Sequence, residues 1–320
     1  MNTVDALSAP LFVSWQLTRD CNLACVHCCT DSAPGRPAPN ELTRDEALTL
    51  ARQIVEAQVP YVMLCGGEPL IVSWFWDVAE LLGKGGAELK IESNGQLLDA
   101  AAAARLAKLP IRSVQISLDG DTQAVYAKQR PGGDLALAHA ACRAVVAAGL
   151  PLEITFAPTT VNLSEAEAVA RRAVELGAFR FNTGALMRLG TAAKLWDRLE
   201  PSAEQYAAFR RVLDGLSASL NKKIDFCYIP FTIEEGLREG LSQPPATLLV
   251  LPDGMVKVAA PLPYTCADLR RRTLAQAWDD YRAAWRSPKM REAAARLLTE
   301  PSRLPEANRW RPLETEAAGI

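Results

Sequence analysis

The sequence predicts an α/β fold, a partial (β/α)6 TIM-like barrel followed by a small α+β extension at the C-terminal end. Short apolar runs rich in β-branched and aromatic residues alternate with longer segments of helical periodicity, which is the pattern of repeated strand–helix units and a parallel sheet. The spacing between the runs leaves room for one crossover helix each. Six runs are expected to form strands, at residues 12–17, 61–65, 89–92, 113–118, 152–157 and 179–182.

Three of the helical segments begin with the spacing of a capping box, in which two residues three positions apart cap each other's backbone. The pairs are Thr43 with Glu46, Ser164 with Glu167 and Ser202 with Gln205. Each pair precedes a periodic segment, so we expect a helix to begin at each of them.

The pattern changes at about residue 215, and we predict two domains, a core barrel over residues 1–215 and an extension over residues 216–320. Residues 247–251 and 255–259 are expected to form a hairpin, joined by the turn Pro252-Asp253-Gly254. Helical segments are expected between residues 274 and 298, and an irregular tail after residue 301.

Composition limits the class of partner. The 320 residues are 49% hydrophobic and carry 35 basic against 37 acidic side chains, a net charge of −2. This balance gives no electrostatic footprint for nucleic acid or for an anionic membrane surface. Residues 1–10 lack the features of a signal peptide, and no stretch reaches the roughly eighteen apolar residues of a membrane span. We expect a cytoplasmic protein that acts on a small or medium-sized organic substrate.

Four of the eight cysteines crowd into residues 21–29. Cys21, Cys25 and Cys28 form a C-x3-C-x2-C sequence directly after the first predicted strand, where three thiolates on one loop can converge on a metal centre. A reducing compartment favours metal ligation over disulfides for such crowding. A structural zinc site with His27 or Cys29 as fourth ligand, or plain buried cysteines, remains an alternative at this point.

Glycine and polar residues follow the next three predicted strands, at the end of a parallel barrel where chemistry gathers. Gly66-Gly67-Glu68-Pro69 follows the second strand, and its glycines allow the backbone to approach a ligand that donates hydrogen bonds. The side chains that come after it are Asn94 at the third strand, Ser117 and Asp119 at the fourth, and Arg130 in the following loop. Taken singly, each could be an ordinary glycine turn or a solvated loop residue.

Together these motifs resemble those of radical S-adenosylmethionine (SAM) enzymes, because four elements occur in that family's order, each at a predicted strand end. The resemblance implies one [4Fe-4S] cluster held by Cys21, Cys25 and Cys28, with SAM bound at the iron that lacks a cysteine. An electron donor such as flavodoxin or ferredoxin would reduce the cluster. SAM would then be cleaved to methionine and a 5′-deoxyadenosyl radical, which abstracts hydrogen from the substrate. That first step needs no acid or base, and no catalytic side chain is assigned.

The resemblance also implies contacts to SAM. Gly66, Gly67, Glu68 and Pro69 would hold the methionine amino group, and Arg130 would pair with the carboxylate, a role suited to its fixed charge. The polar side chains that would line the ribose and the substrate side of the cavity are Asn94, Ser117 and Asp119.

Residues 187–192 resemble a stretch in radical SAM enzymes with a cysteine-rich SPASM or twitch extension, such as peptide maturases and maturases of d-type haem. The extension of this chain departs from theirs. Val258-Ala259-Ala260 stands where a cysteine is expected, and only Cys227 and Cys266 remain, too few for a four-cysteine cluster. We therefore expect a degenerate extension and a single cluster.

For the substrate, we favour a small or medium molecule in cofactor or natural-product biosynthesis, with a tetrapyrrole side chain as the most specific prediction. The first alternative is a ribosomal peptide. Only about eleven residues precede the first predicted strand, so leader recognition would require a separate partner protein, which makes a peptide the less favoured substrate. The second is a non-catalytic metal-binding scaffold. Neither nucleic acid nor a membrane is an expected partner.

Overall fold

The computed structural model describes residues 4–220 and 223–313. In this part of the chain, eleven strands form one continuous sheet in the order β11-β10-β9-β8-β1-β2-β3-β4-β5-β6-β7. The strands are β1 (Phe12–Gln16), β2 (Tyr61–Cys65), β3 (Glu88–Ser93), β4 (Ile111–Ser117), β5 (Leu152–Phe156), β6 (Arg180–Thr183), β7 (Asp225–Cys227), β8 (Thr247–Val250), β9 (Met255–Lys257), β10 (Tyr264–Asp268) and β11 (Arg311–Pro312).

Twelve α-helices are described in the same residues. They are α1 (Arg44–Glu56), α2 (Phe75–Lys84), α3 (Ala100–Leu106), α4 (Gln123–Gln129), α5 (Leu135–Ala147), α6 (Ala166–Glu175), α7 (Gly190–Lys194), α8 (Trp196–Leu199), α9 (Ala203–Leu220), α10 (Ile233–Ser242), α11 (Leu274–Arg286) and α12 (Pro288–Thr299). Short 3-10 segments occur at Val4–Ala6, Pro69–Ile71, Leu163–Glu165 and Pro301–Asn308. Within these described residues, no helix has the length and apolar character needed to cross a lipid bilayer.

The predicted α/β fold class is confirmed. Strands β1 to β7 are all parallel to their neighbours, and helices connect successive strands. The six predicted strands agree with β1 to β6 to within two residues at each end. The strand β7 was not predicted, because three residues with one half-buried side chain carry too little periodicity.

Alternation along the strands gives the sheet two different faces. Val13 and Trp15 of β1, like Leu89 and Ile91 of β3, are fully buried on the face that the helices cover. The residues between them point to the opposite face, because successive side chains alternate in a strand. Several of these residues are polar, and the barrel therefore has a polar interior.

Two of the three predicted capping boxes are confirmed. Thr43 and Glu46 cap each other at the start of α1, and Ser202 and Gln205 do so before α9. The prediction for Ser164 was wrong, because Ser164 lies inside the 3-10 segment Leu163–Glu165 and α6 begins only at Ala166 without a side-chain cap.

The predicted hairpin is present, with β8 antiparallel to β9. On its other side β8 pairs in parallel with β1, from Phe12↔Thr247 to Trp15↔Val250. Helix α9 runs through residue 215, and the division of the chain into two domains there stays a prediction. The predicted irregular tail contains the 3-10 segment Pro301–Asn308 and β11, and its residues 314–320 lie outside the described part of the chain.

Candidate cluster and SAM site

Three cysteine thiols lie together in the loop that follows β1. Cys21 and Cys25 are buried and pack with Leu23, and the half-buried Cys28 packs against this group. The loop is held by its own thiols, since Leu23 N–H donates to Cys21 Sγ at 3.4 Å and Ser32 N–H donates to Cys28 Sγ at 3.3 Å. The C-x3-C-x2-C spacing thus folds into one cluster of thiols.

Burial raises the pKa of the Cys21 thiol, and burial raises that of Cys25 to about 12 against the opposing effect of Arg130. The charge of Cys28 also raises the pKa of both thiols. A metal that binds them must therefore displace their protons, and binding will depend on pH.

No three Cys, His, Asp or Glu side chains within residues 4–220 and 223–313 converge closely enough to hold one metal ion. A cubane cluster requires a wider arrangement, because each thiolate binds a different iron atom. Three thiols on one loop, all of which line a shared cavity, are a donor set that fits such a cluster.

The two glycines after β2 pack against the cysteine loop. A Cβ atom on Gly66 would lie 2.5 Å from Thr18 O, and one on Gly67 would lie 1.9 Å from Asp20 O. Gly66 also has a φ of +142°, which other residues rarely adopt. Hydrogen bonds from Gly67 N–H to Thr18 O at 2.7 Å and from Glu68 N–H to Asp20 O at 3.0 Å close this contact. Glycine is required at these two positions because the backbone lies directly against the cysteine loop of the same chain.

Glu68 is enclosed by protein on all sides. Its Oε1 accepts hydrogen bonds from Ser93 Oγ at 2.9 Å and from Leu70 N–H at 3.2 Å, and its Oε2 accepts one from Asn94 N–H at 2.8 Å. Burial raises the pKa of Glu68 to about 7 in spite of these donors. The side chain joins the ends of β2 and β3, and Pro69 after it begins a 3-10 turn.

Asn94 connects the end of β3 to the cysteine loop. Its Nδ2 donates to Asn22 Oδ1 at 2.7 Å and lies 3.7 Å from Cys21 Sγ. Ser117, at the end of β4, lines the same cavity. These two predicted residues are therefore brought next to the thiols.

Arg130 and Asp119 form a buried ion pair behind the thiols. Asp119 Oδ2 lies 2.6 Å from Arg130 Nε and 3.1 Å from His27 Nε2, and Arg130 Nη1 lies 3.5 Å from Cys25 Sγ. Burial alone would raise the pKa of Asp119, but Arg130 and His27 hold it well below its usual range. Burial would lower the pKa of Arg130, but Asp119 holds it above the ordinary value. Both side chains therefore stay charged.

A cavity of about 440 Å³ gathers most of the predicted residues. The predicted residues that line it are Cys21, Cys25, Cys28, Gly66, Gly67, Asn94, Ser117 and Arg130. The other three, Glu68, Pro69 and Asp119, lie behind this lining and support it. Sequence reasoning missed further polar lining residues, chiefly Gln16, Glu92 and Gln115. The available signal was the alternation of polar with apolar residues along β3 and β4, which indicates a polar face.

A second cavity of about 690 Å³ continues from the first towards α10 and α11. The two cavities share the lining residues Ser14, Met63, Thr155, Ala157, Ala185 and Met187. The second cavity lies between the barrel strands and the elements that follow β7.

Comparison with known proteins agrees with this geometry. Residues 15–173 match the family model described as the Radical SAM superfamily. The chain is 34% identical over 203 residues to "Mycofactocin maturase MftC" of Mycobacterium ulcerans (strain Agy99), covering 63% of this chain and 54% of that protein. It is 30% identical over 185 residues to "AdoMet-dependent heme synthase" of Methanosarcina barkeri (strain Fusaro / DSM 804), covering 57% and 52%.

"Pre-heme d1 synthase" of Dinoroseobacter shibae is 31% identical over 206 residues, covering 64% of this chain and 50% of that protein. The chain thus spans about half the length of the curated relatives it matches.

Solved structures share the fold at low sequence identity. Streptococcus suis SuiB bound to S-adenosylmethionine has a TM-score of 0.63 and 16% identity, covering 78% of this chain and 60% of that one. Native anSMEcpe with bound AdoMet has a TM-score of 0.61 and 15% identity, covering 88% and 82%. The superfamily uses a [4Fe-4S] cluster and SAM as cofactors. Residues 15–173 of this chain therefore form a radical SAM domain, and the homologues of this domain include mycofactocin and haem maturases.

Proposed function

We propose that this chain reductively cleaves SAM and uses the carbon radical to abstract hydrogen from an organic substrate. One observation carries the proposal: the three thiols of the C-x3-C-x2-C loop line the same cavity as Gly66, Gly67, Asn94 and Arg130. When bound, a [4Fe-4S] cluster supplies the electron that cleaves SAM into methionine and a 5′-deoxyadenosyl radical. Flavodoxin or ferredoxin is the proposed electron donor.

The roles of the chain's own residues follow from their contacts. Cys21, Cys25 and Cys28 would hold the cluster. Arg130 would bind the carboxylate of SAM, because its charge is retained and Asp119 fixes its orientation.

The residues at the strand ends after β2, β3 and β4 would have different duties. Gly66 and Gly67 would present backbone to the amino group of SAM, while Asn94 and Ser117 would line the ribose. Glu68 would act as a positioning residue, because its carboxylate accepts hydrogen bonds from the end of β3 and is closed off from the cavity.

The test is anaerobic reconstitution with iron and sulfide, addition of SAM and dithionite, and measurement of 5′-deoxyadenosine by mass spectrometry. Wild type should form 5′-deoxyadenosine, and Cys25→Ala should form none because one cluster ligand is lost. Cys227→Ala is the matched control, since Cys227 is an exposed thiol on β7 and should leave the product unchanged.

Two results would contradict the proposal. If wild type binds no iron, the chain holds no iron-sulfur cluster and the proposal fails. A colourless preparation that contains zinc would favour a structural metal site. Wild type that binds about four irons per chain yet forms no 5′-deoxyadenosine would favour a scaffold that has lost catalysis.

Two substrate classes are to be compared, because the relatives include both haem synthases and mycofactocin maturases. The described residues that line the second cavity include no Lys, Arg, Asp or Glu. A tetrapyrrole side chain, our sequence prediction, bears carboxylates that would have no cation there. We therefore favour the alternative substrate class, a peptide that is modified at an apolar segment. Because the thiols are free and suit a metal centre, a reducing compartment such as the cytoplasm is the proposed location.

A further inference from the structure

Glu92 is a carboxylate that the cleavage of SAM does not use. Among the described residues that line the two cavities, it is the only aspartate or glutamate. Its side chain is 32% exposed, although β3 lies in the interior of the sheet. Its neighbour Ile91 is fully buried on the helix-covered face, so Glu92 points to the opposite face and its exposed surface lies in the cavity.

The contacts of Glu92 leave one oxygen available. Gln115 Nε2 donates to Glu92 Oε1 at 3.0 Å. Lys90 Nζ is 4.0 Å from the same oxygen but only 2.9 Å from Glu153 Oε2, so the lysine belongs mainly to Glu153. No hydrogen bond from the described residues reaches Glu92 Oε2. Glu92 Oε2 can therefore accept a further hydrogen bond.

The second cavity supplies an apolar chamber. Its walls include Phe156, Phe231, Ile233, Leu237, Tyr281 and Trp285, from the barrel and from the elements after β7. A volume of about 690 Å³ falls in the range of cavities that enclose a whole small ligand. An aromatic or branched aliphatic group is stabilised there by the loss of its contact with water.

The chamber and Glu92 are connected. Met63 and Thr155 line both cavities, and Glu92 lines the first one together with them. A group that fills the chamber and extends towards the thiols therefore enters the cavity that Glu92 lines.

We propose that the substrate carries one or two aromatic or branched aliphatic groups that fill the apolar chamber, and that an adjacent amide N–H donates a hydrogen bond to Glu92 Oε2. Neighbouring hydrophobic residues of a peptide have this chemistry. The inference rests on the proposed function, because it places the substrate next to the site of SAM cleavage. Glu92 is then a specificity-determining residue, and the extension forms the chamber wall.

The probe is N-acetyl-leucyl-leucine methylamide with deuterated leucine side chains, added to the reconstituted protein with SAM. Two readouts are measured: the dissociation constant of the probe by calorimetry, and the deuterium transferred to 5′-deoxyadenosine on reduction. Wild type should bind the probe and should transfer deuterium. A probe in which aspartate replaces both leucines should bind about tenfold more weakly, because its carboxylates find no cation in the chamber.

Two variants test the two halves of the site. Glu92→Gln places an N–H donor beside the donor of the probe and should weaken binding about tenfold. Its control is Glu88→Gln on the same strand, where the exposed Glu88 pairs with Arg112. Gly236→Leu should fill the chamber, because the nearest described atom to a Cβ at Gly236 is Pro230 Cγ, at 3.5 Å. Its control is Gly215→Leu on α9, where the added Cβ has no atom of the described residues within 4 Å.

The inference is overturned if wild type forms 5′-deoxyadenosine but neither binds the probe nor takes deuterium from it. It is also overturned if Glu92→Gln or Gly236→Leu binds the probe as well as wild type, or if coproporphyrin displaces the probe at lower concentration than unlabelled probe does. If wild type forms no 5′-deoxyadenosine at all, the proposed function fails instead, and the calorimetry still decides whether the chamber binds such a molecule.

Discussion

At the scale of single residues, the buried pair of Asp119 and Arg130 should be the most sensitive part of the site. Asp119→Asn keeps the shape of the side chain but leaves the guanidinium of Arg130 buried without a countercharge. We expect a loss of about 3 to 5 kcal/mol in the free energy of unfolding. Urea titration followed by circular dichroism measures it.

Asp121→Asn is the matched control for Asp119→Asn, two positions further along the chain. Asp121 pairs with Arg172 at 2.9 Å, but both side chains are partly exposed. Such a pair contributes at most about 1 kcal/mol. Equal losses for the two variants would show that burial does not strengthen the role of Asp119.

Lys257, on β9, predicts a pH dependence of stability. Its side chain is 3% exposed, and its Nζ donates to Ala260 O at 2.7 Å. Burial lowers the pKa of Lys257 to about 8, against an opposing effect of Cys29. Between pH 8 and the ordinary lysine pKa of 10.5, the unfolded chain binds more protons than the folded one. Stability from this group therefore rises with pH across that window.

Lys257→Met should remove this rise and stabilise the protein at pH 7 by about 3 kcal/mol. Thermal or urea unfolding at pH 7 and pH 10 gives both quantities. Lys84→Met serves as control, since the Lys84 side chain is 77% exposed and its loss should change little at either pH. A destabilised Lys257→Met at pH 7 would contradict the prediction.

The site residues show what the sequence can predict at this scale. Residues at the carboxyl ends of parallel strands meet at one edge, and Cys21, Asn94 and Ser117 accordingly line one cavity. Glu68 and Asp119 stand at the same strand ends but are closed in. Residue type and spacing do not reveal whether a carboxylate faces the cavity or is hydrogen-bonded to a neighbouring backbone N–H or guanidinium. Glu92 was missed as a lining residue, although its alternation with the buried Ile91 places it on the cavity face.

At the scale of elements, Arg270 joins the region after β10 to the start of α1. Its Nε lies 2.7 Å from Glu46 Oε1, and its Nη2 donates to Asn40 O at 2.7 Å. Its Nη1 also donates to Asp253 O in the hairpin turn. Arg270→Ala should lower the free energy of unfolding by about 1 to 2 kcal/mol, because these charge-assisted bonds are lost together.

Arg271→Ala is the control for the Arg270 prediction. The Arg271 side chain is 86% exposed and pairs with Asp268 at 3.5 Å, so we expect almost no change in urea unfolding. If Arg270→Ala also leaves the free energy of unfolding unchanged, the contacts of Arg270 with the hairpin turn and α1 contribute nothing to stability.

The elements themselves differ in how well the sequence predicts them. The runs that became β2 and β5 are apolar and well bounded, and both were predicted to within one residue. The partner of β8 could not be predicted in the same way. A hairpin pattern fixes the pairing of β8 with β9, but the pairing of β8 with β1 joins segments more than 230 residues apart and leaves no local pattern.

At the scale of the whole molecule, the pairing of β8 with β1 makes the extension part of the core sheet. Strand β1 has β2 on one side and β8 on the other, and Val13 and Trp15 are fully buried beside Leu248 and Val250. Further along, Trp278 Nε1 of α11 donates to Leu7 O at 2.9 Å, and Tyr281 Oη donates to Pro245 O at 3.0 Å. Helix α11 is thus tied to the segment before β1 and to the segment before β8.

The predicted division at residue 215 can therefore be tested by truncation. A fragment that ends at residue 220 keeps β1 to β6 but exposes the backbone edge of β1, which is a site for pairing with other chains. We expect this fragment to aggregate on size-exclusion chromatography, and co-expression of residues 221–320 to restore a soluble complex because the missing strand is supplied in trans. A monomeric fragment that unfolds in urea at the midpoint of the full chain would instead show that the barrel folds as an independent domain. In that case the pairing of β8 with β1 would add a chamber wall but no stability to the barrel.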